Sequence, residues 1–212
     1  MKKFLLASIS NIIMIVLPLL GKPSLIFHYK IILIIVGSIC MWLTQPPVTV
    51  KETTDKKSSD KSSVILILFM SFISVVAPVI DWAYFKTEQD SFSVFTLTGI
   101  CFIVIGISFR AWAVNRLGKF FTATVQIKED HNLITSGPYS IVRHPSYSGA
   151  FMAIVAGGIV LESVIGFVIS VIAMSIAYYV RIGIEEKELI ACFGNDYIQY
   201  KKRTKMIIPY VW

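Results

Sequence analysis

Eleven residues, Tyr139-Ser140-Ile141-Val142-Arg143-His144-Pro145-Ser146-Tyr147-Ser148-Gly149, set an arginine, a histidine and two tyrosines directly before an apolar run. Upstream lies His131-Asn132-Leu133-Ile134, and beyond the next apolar stretch come Arg181 and the pair Glu185-Glu186. Ionisable groups therefore flank one hydrophobic hairpin on both sides. His144 offers a ring nitrogen, and Pro145 can begin a helix whose first turn presents free N–H groups to an anion. Leu133 and Ile134 offer main chain beside His131, while Tyr139 and Tyr147 offer aromatic faces with hydroxyl tips. Arg181 can clamp a carboxylate through two parallel N–H groups, and Glu185 lies one turn further on the same helical face. Such a set suits a polar cofactor, with a ring and a charged tail, held against a greasy substrate.

The elements that must position these groups are membrane helices. Of 212 residues, 55% are hydrophobic and 16% charged, and the apolar residues come in long runs. Phe4–Leu20, Leu25–Thr44, Val64–Phe85 and Phe92–Val114 are each long enough to cross a hydrocarbon core of ~30 Å at ~1.5 Å per residue. Gly149–Leu161 is shorter, Glu162 interrupts it, and Ser163–Val180 runs on to Arg181. This region reads as a helical hairpin whose shorter arm packs against protein more than lipid. The expected fold is thus an all-α integral membrane protein with five membrane-embedded elements: four spans and a C-terminal helical hairpin. A cytosolic interfacial connector and a C-terminal helix complete it. The N-terminal run is longer than a signal peptide's apolar core and lacks a small-x-small cleavage site, so it is expected to be a retained helix.

Charge sets the expected sidedness. With Lys2-Lys3 in the cytosol and the spans alternating, seventeen of the 20 Lys and Arg fall on the cytosolic side, leaving Lys22, Lys30 and Lys86 outside. This bias accounts for the net charge of +7 without nucleic acid, and anionic lipid headgroups are the natural counter-charge. Both termini and the polar segments share the cytosolic face.

Two regions follow: residues 1–114, transmembrane helices with a flexible Lys/Asp/Ser-rich cytosolic loop over 45–63, and residues 115–212, which carry the chemistry. Arg110, near the end of the fourth span, reads as a snorkelling arginine. Asn115–Thr122 and the segment through Ser136-Gly137-Pro138 form a connector at the interface. Phe193-Gly194 ends the last long helix; Tyr197, Tyr200 and Lys201-Lys202-Arg203 then lie on the membrane surface, and Glu186, Lys187 and Glu188 form a solvated face. Cys40, Cys101 and Cys192 are scattered structural thiols, His28 is a surface histidine, and no spacing suits a metal.

Several motifs in order, His131-x-Leu133-Ile134-Thr135-x-Gly137-Pro138-Tyr139, Arg143-His144-Pro145-Ser146-Tyr147-x-Gly149, Arg181-x-x-x-Glu185-Glu186 and Phe193-Gly194-x-x-Tyr197-x-x-Tyr200-Lys201-Lys202-Arg203, with Ile208-Pro209 closing, resemble the isoprenylcysteine carboxyl methyltransferases. The resemblance covers the C-terminal half. It implies S-adenosylmethionine as cofactor, with His131, Leu133, Ile134, Tyr139, His144, Pro145, Ser146 and Tyr147 around it. Gln126 is carried over as a further contact, at a shorter spacing to His131 than the family's. Glu185 would close the pocket, and Arg181 would face the substrate, a lipophilic or prenylated acid.

The chemistry is consistent with those assignments. A carboxylate nucleophile is already ionised at neutral pH and needs no base, so holding donor and acceptor in line near ~3–3.5 Å without water is the main task. Two alternatives stand beside it. A phospholipid N-methyltransferase would need a base, Glu185 or His144, because its amine is protonated at pH 7. A nicotinamide-dependent sterol-type reductase or a non-enzymatic membrane protein is the other.

Sidedness is open to a direct check. A reporter fused after Trp212 should be cytosolic, and Glu162→Cys should react with an impermeant maleimide from the opposite side only; labelling from neither side would make the hairpin re-entrant.

Overall fold

A computed structural model describes residues 2–46, 61–86, 92–121 and 133–209. Helices account for nearly all of them, and they order as α1 (Lys2–Asn11), α2 (Tyr29–Leu43), α3 (Lys61–Ile80), α4 (Val94–Leu117), α5 (Pro145–Val160), α6 (Val164–Phe193) and α7 (Asn195–Arg203). The molecule is an all-helical integral membrane protein. Among the described residues, three helical stretches are long and apolar enough to cross a bilayer: Ser62–Phe85, Val94–Phe120 and Val164–Phe193.

The first expected span is helical through Leu19 but irregular, and the second is shorter than expected. α1 tightens and widens through a π-helix (Ile12–Val16) and a 3-10 turn (Leu17–Leu19) that places Pro18 in its first turn, where a missing N–H is harmless. Residues Pro23–Phe27 form another 3-10 turn, and His28 takes an extended backbone, so α2 begins at Tyr29 instead of Leu25. At 15 residues it is about 22 Å long, short of a full crossing. His28 is more than a surface histidine, because its Nδ1 accepts from the Lys30 N–H at 3.3 Å and caps α2. The expected 45–63 loop ends earlier than supposed. α3 starts at Lys61, and Ser63 within it is buried; residues 47–60 lie outside the described residues.

The hairpin forms as α5, a turn through Glu162, and α6. Ser163 closes the turn twice over: its Oγ accepts from the Gly166 N–H at 2.9 Å and donates to Asp81 Oδ2 at 2.6 Å, tying the start of α6 to the end of α3. The short arm packs on protein, touching α2, α3, α4 and α6. Its contact with α4 is backbone on backbone. A Cβ at Gly106 would lie 2.6 Å from the Gly149 carbonyl oxygen, and one at Gly99 would lie 2.7 Å from the Val160 nitrogen. Without an apolar solvent to expel, membrane helices associate through such close approach of small residues. α6 runs as one helix past Arg181 to Phe193. It stops at Gly194, whose φ of +53 suits a residue without a side chain.

At the Glu162 end, Lys30 is buried at 2% exposure and donates to Glu162 Oε1 at 2.8 Å. Ser93 Oγ donates to the same oxygen at 2.8 Å and Thr96 Oγ1 at 3.3 Å. Burial opposes ionisation of Glu162, but the hydrogen bonds from Lys30 and Ser93 outweigh it and hold the carboxyl below its ordinary range. One carboxylate thus joins α2, the head of α4 and the hairpin turn.

Removing one partner of this pair should strand the other. Lys30→Ala is expected to cost about 2–3 kcal/mol, the partial exposure of Glu162 discounting a fully buried value. Lys30→Met with Glu162→Gln should recover most of that loss, and thermal unfolding in detergent of the two variants and the wild type measures it.

Candidate active site

The other end of α5 begins at Pro145, and there the conspicuous residues of the sequence converge. His144 precedes the helix and is buried; its main-chain N–H donates to the Met206 carbonyl at 3.0 Å, while the Arg143 N–H donates to the Lys205 carbonyl at 2.9 Å. An isolated parallel bridge between Val142 and Lys205 continues the contact, and Ser148 Oγ donates to the Ile207 carbonyl at 2.6 Å. The segment after α7 therefore lies along residues 142–148 and holds them in register.

α6 supplies the acids and the guanidinium. Arg181 is buried, and its Nη1 donates to Ser63 Oγ at 2.9 Å. Arg181 Nε donates to the Tyr147 hydroxyl at 3.2 Å, and that hydroxyl donates to Glu185 Oε2 at 2.9 Å. The chain Ser63, Arg181, Tyr147, Glu185 links α3, α6 and α5. Glu185 Oε1 sits 3.8 Å from His144 Nδ1, beyond hydrogen-bond reach, and its side chain is 28% exposed. The Tyr147 ring packs on Tyr178 at 5.0 Å and His144 at 6.0 Å, giving the cleft an aromatic wall.

Glu186 overturns its sequence reading as part of a solvated face. It is buried; Oε1 meets His144 Nε2 at 3.1 Å and accepts from Arg143 Nε, and Oε2 accepts from Lys201 Nζ at 2.6 Å. The Lys201 charge comes from α7, which packs one face inward and leaves Lys202 and Arg203 exposed. Tyr197 and Tyr200 are buried, and the Tyr200 hydroxyl donates to the Tyr139 carbonyl at 2.7 Å. Burial pushes both phenols up, and at Tyr197 the charges of Glu186 and Glu185 push further in the same direction.

Arg110 also departs from expectation. It does not snorkel: at 5% exposure it donates to Thr44 Oγ1 at 2.9 Å, Gln45 Oε1 at 3.0 Å and the Ser146 carbonyl at 2.9 Å. A membrane-end guanidinium has been folded inward to fasten α2 and α4 to the first residues of α5. The first turn of α5, expected to offer free N–H groups, does so less than supposed. Both the Tyr147 and Ser148 N–H groups donate to the His144 carbonyl at 3.1 Å.

The remaining candidates divide. Pro145 and Ser146 are buried at the head of α5, and Leu133 and Ile134 are half-buried. Tyr139 is buried in a 3-10 turn (Gly137–Ser140), its hydroxyl donating to the Ala113 carbonyl of α4 at 3.3 Å; burial first, then the charge of Glu185, pushes its phenol up. The structure brings His144, Tyr147, Arg181 and Glu185 into one cluster and sets Tyr139 against α4 as a pin. Gln126 and His131 lie outside the described residues. Among the described residues no cluster of His, Cys, Asp and Glu could hold a metal ion.

Residues 98–191 match the model of the isoprenylcysteine carboxyl methyltransferase (ICMT) family. The chain is 36% identical over 139 residues to the protein-S-isoprenylcysteine O-methyltransferase of Dictyostelium discoideum, covering 65% of this chain and 58% of that one. To the protein of the same name from Saccharomyces cerevisiae it is 33% identical over 118 residues, covering 55% and 49%. The solved structure of the eukaryotic intramembrane Ras methyltransferase ICMT superposes with a TM-score of 0.67 at 23% identity, across 97% of this chain and 74% of that one, and so shares its fold. The chain spans about half the length of the curated relatives it matches.

The neighbouring acids should separate under mutation. Glu186→Ala leaves Arg143, His144 and Lys201 without their acceptor and should destabilise by about 3 kcal/mol or more. Glu185→Gln, half-exposed and bonded to one hydroxyl, should stay within about 1 kcal/mol of wild type. Thermal unfolding in one detergent compares the two.

Proposed function

We propose that this chain, whose residues 98–191 match the isoprenylcysteine carboxyl methyltransferase family model, methylates the carboxylate of a lipophilic, isoprenylcysteine-like acid, using S-adenosylmethionine. The observation that carries the reading is the shared Tyr147 hydroxyl. It accepts from Arg181 and donates to Glu185, so one hydroxyl holds a buried guanidinium beside a partly exposed carboxylate.

The donor set fits the cofactor. Glu185 Oε1 lies beyond hydrogen-bond reach of His144 and its side chain is partly exposed, which suits an ammonium group; the half-buried Tyr147 ring, backed by Tyr178, suits an aromatic base. His144, Pro145, Ser146, Tyr147 and Glu185 would hold it from α5 and α6, and Leu133, Ile134 and Tyr139 from the preceding segment, with Gln126 and His131 completing the set. When bound, S-adenosylmethionine supplies an electrophilic methyl group on a sulfonium.

The protein's own residues do the rest. Arg181, fixed by Ser63 and Tyr147, orients the acid and favours its ionised form. Glu185 is kept an acceptor by the hydroxyl that points at it. Arg110 positions Ser146 and hence the start of α5. No general base is required, because the acceptor is already an anion. The buried positive charges of Arg181 and Arg110 disfavour an ammonium acceptor, which weighs against lipid N-methylation. The basic residues gathered at this end support a cytosolic placement, where a membrane-anchored acid would arrive with its apolar chain in the bilayer.

Arg181→Lys keeps the charge and loses the two-pronged geometry, so turnover on prenylcysteine acids should fall about 10–100-fold. Binding of S-adenosylhomocysteine, measured by calorimetry in detergent, should stay near wild type in that variant and weaken in His144→Ala. Near-full turnover in both Arg181→Lys and Arg181→Ala would end the carboxyl-methylation reading, and binding of NADPH in place of S-adenosylhomocysteine would end methyl transfer altogether.

A further inference from the structure

Next to the Arg143 and Lys201 side chains that hold Glu186 lies a cavity of ≈ 690 Å³ lined by Arg143, Lys201, Lys202, Arg203 and Lys205, with no acidic residue in its wall. Arg143 and Lys201 are engaged with Glu186. Lys202, Arg203 and Lys205 are exposed, and among the described residues their side chains form no ion pair or hydrogen bond. Three uncompensated cations around one concavity repel one another unless an anion lies between them. The Ser140 hydroxyl also lines the wall, although it donates to the Gly137 carbonyl, so its oxygen keeps acceptor capacity only.

The rim indicates which anion. Ile141 and Pro209 line the same cavity, Ile141 at 45% exposure, and exposed Ile198 and Ile208 stand on the adjoining elements. A soluble anion needs no apolar rim; a phosphate carried on acyl chains does. The cavity also lies at the end of the membrane helices where the basic residues gather, the side on which anionic lipids are concentrated. We propose that this cavity is a binding site for the phosphate headgroup of an anionic phospholipid, with Lys202, Arg203 and Lys205 as its principal ligands and Arg143 and Lys201 at its floor. Because the floor residues also hold Glu186, and Glu186 holds His144, an occupied cavity braces the wall of the cleft.

The test does not depend on methyl transfer. The full chain is purified in mixed micelles holding equal amounts of phosphatidylserine and phosphatidylcholine, and retained lipids are counted by native mass spectrometry. Wild type should retain phosphatidylserine over phosphatidylcholine by about tenfold or more, since each basic group at an anionic surface contributes roughly fivefold. The triple variant Lys202→Gln, Arg203→Gln, Lys205→Gln should fall to near parity. The charge-conserving variant Lys202→Arg, Arg203→Lys, Lys205→Arg should keep the preference, which separates loss of charge from damage to α7. Equal retention of the two lipids by wild type, or an undiminished preference in the Gln variant, overturns the proposal. A thermal shift with millimolar inorganic phosphate equal to that with phosphatidylserine would also overturn it, marking a site for free anions.

Discussion

One carboxylate holds the working end of this molecule together. Glu186 receives Arg143 and His144 from the entry to α5 and Lys201 from α7, three donors from two segments on one carboxylate. In a surrounding of low effective dielectric each of these bonds is stronger than in water, and each would be costly to leave unmade. The cost of burying the charge is offset only because both oxygens are satisfied. Satisfying both requires that α6, α7 and residues 142–144 dock together, so the last turns of the chain are part of the site's scaffold.

The neighbouring acid has the opposite character. Successive residues on a helix point about 100° apart, so α6 sends Glu186 into the packed cluster and Glu185 toward the cleft. A rigid, paired carboxylate and a half-exposed one with spare acceptor capacity then sit side by side. Arg181 and Tyr147 complete the open side, and their positions are set from α3 through Ser63 and from α5 through backbone packing. Preorganisation of this kind leaves little to be ordered when a ligand arrives.

Much of this was readable from the residues alone, and the reasons differ by element. Long apolar runs announce membrane helices because the bilayer demands their length, and Gly194 announces a stop because its backbone angle excludes other residues. His144, Tyr147, Arg181 and Glu185 stood out because polar chemistry beside a hairpin has few bland explanations. What stayed hidden depends on partners distant in sequence. Nothing local distinguishes Glu186 from Glu188, yet one is buried and the other exposed, a difference made by Arg143 and Lys201. Arg110 looked like a snorkelling side chain because Thr44 and Gln45, 66 and 65 residues away, were invisible as partners. The helical start at Lys61 was masked by a composition that reads as loop, although Ser63 there is needed by Arg181.

The glycines between α4 and α5 have a meaning for traffic through the bilayer. With Gly106 against Gly149 and Gly99 against Val160, the two backbones leave no room for even one methyl group. An aliphatic chain diffusing sideways in the lipid therefore meets a closed wall along that face. Lipid tails are thereby kept out of the α4–α5 seam, which shuts that face of the bundle to the bilayer.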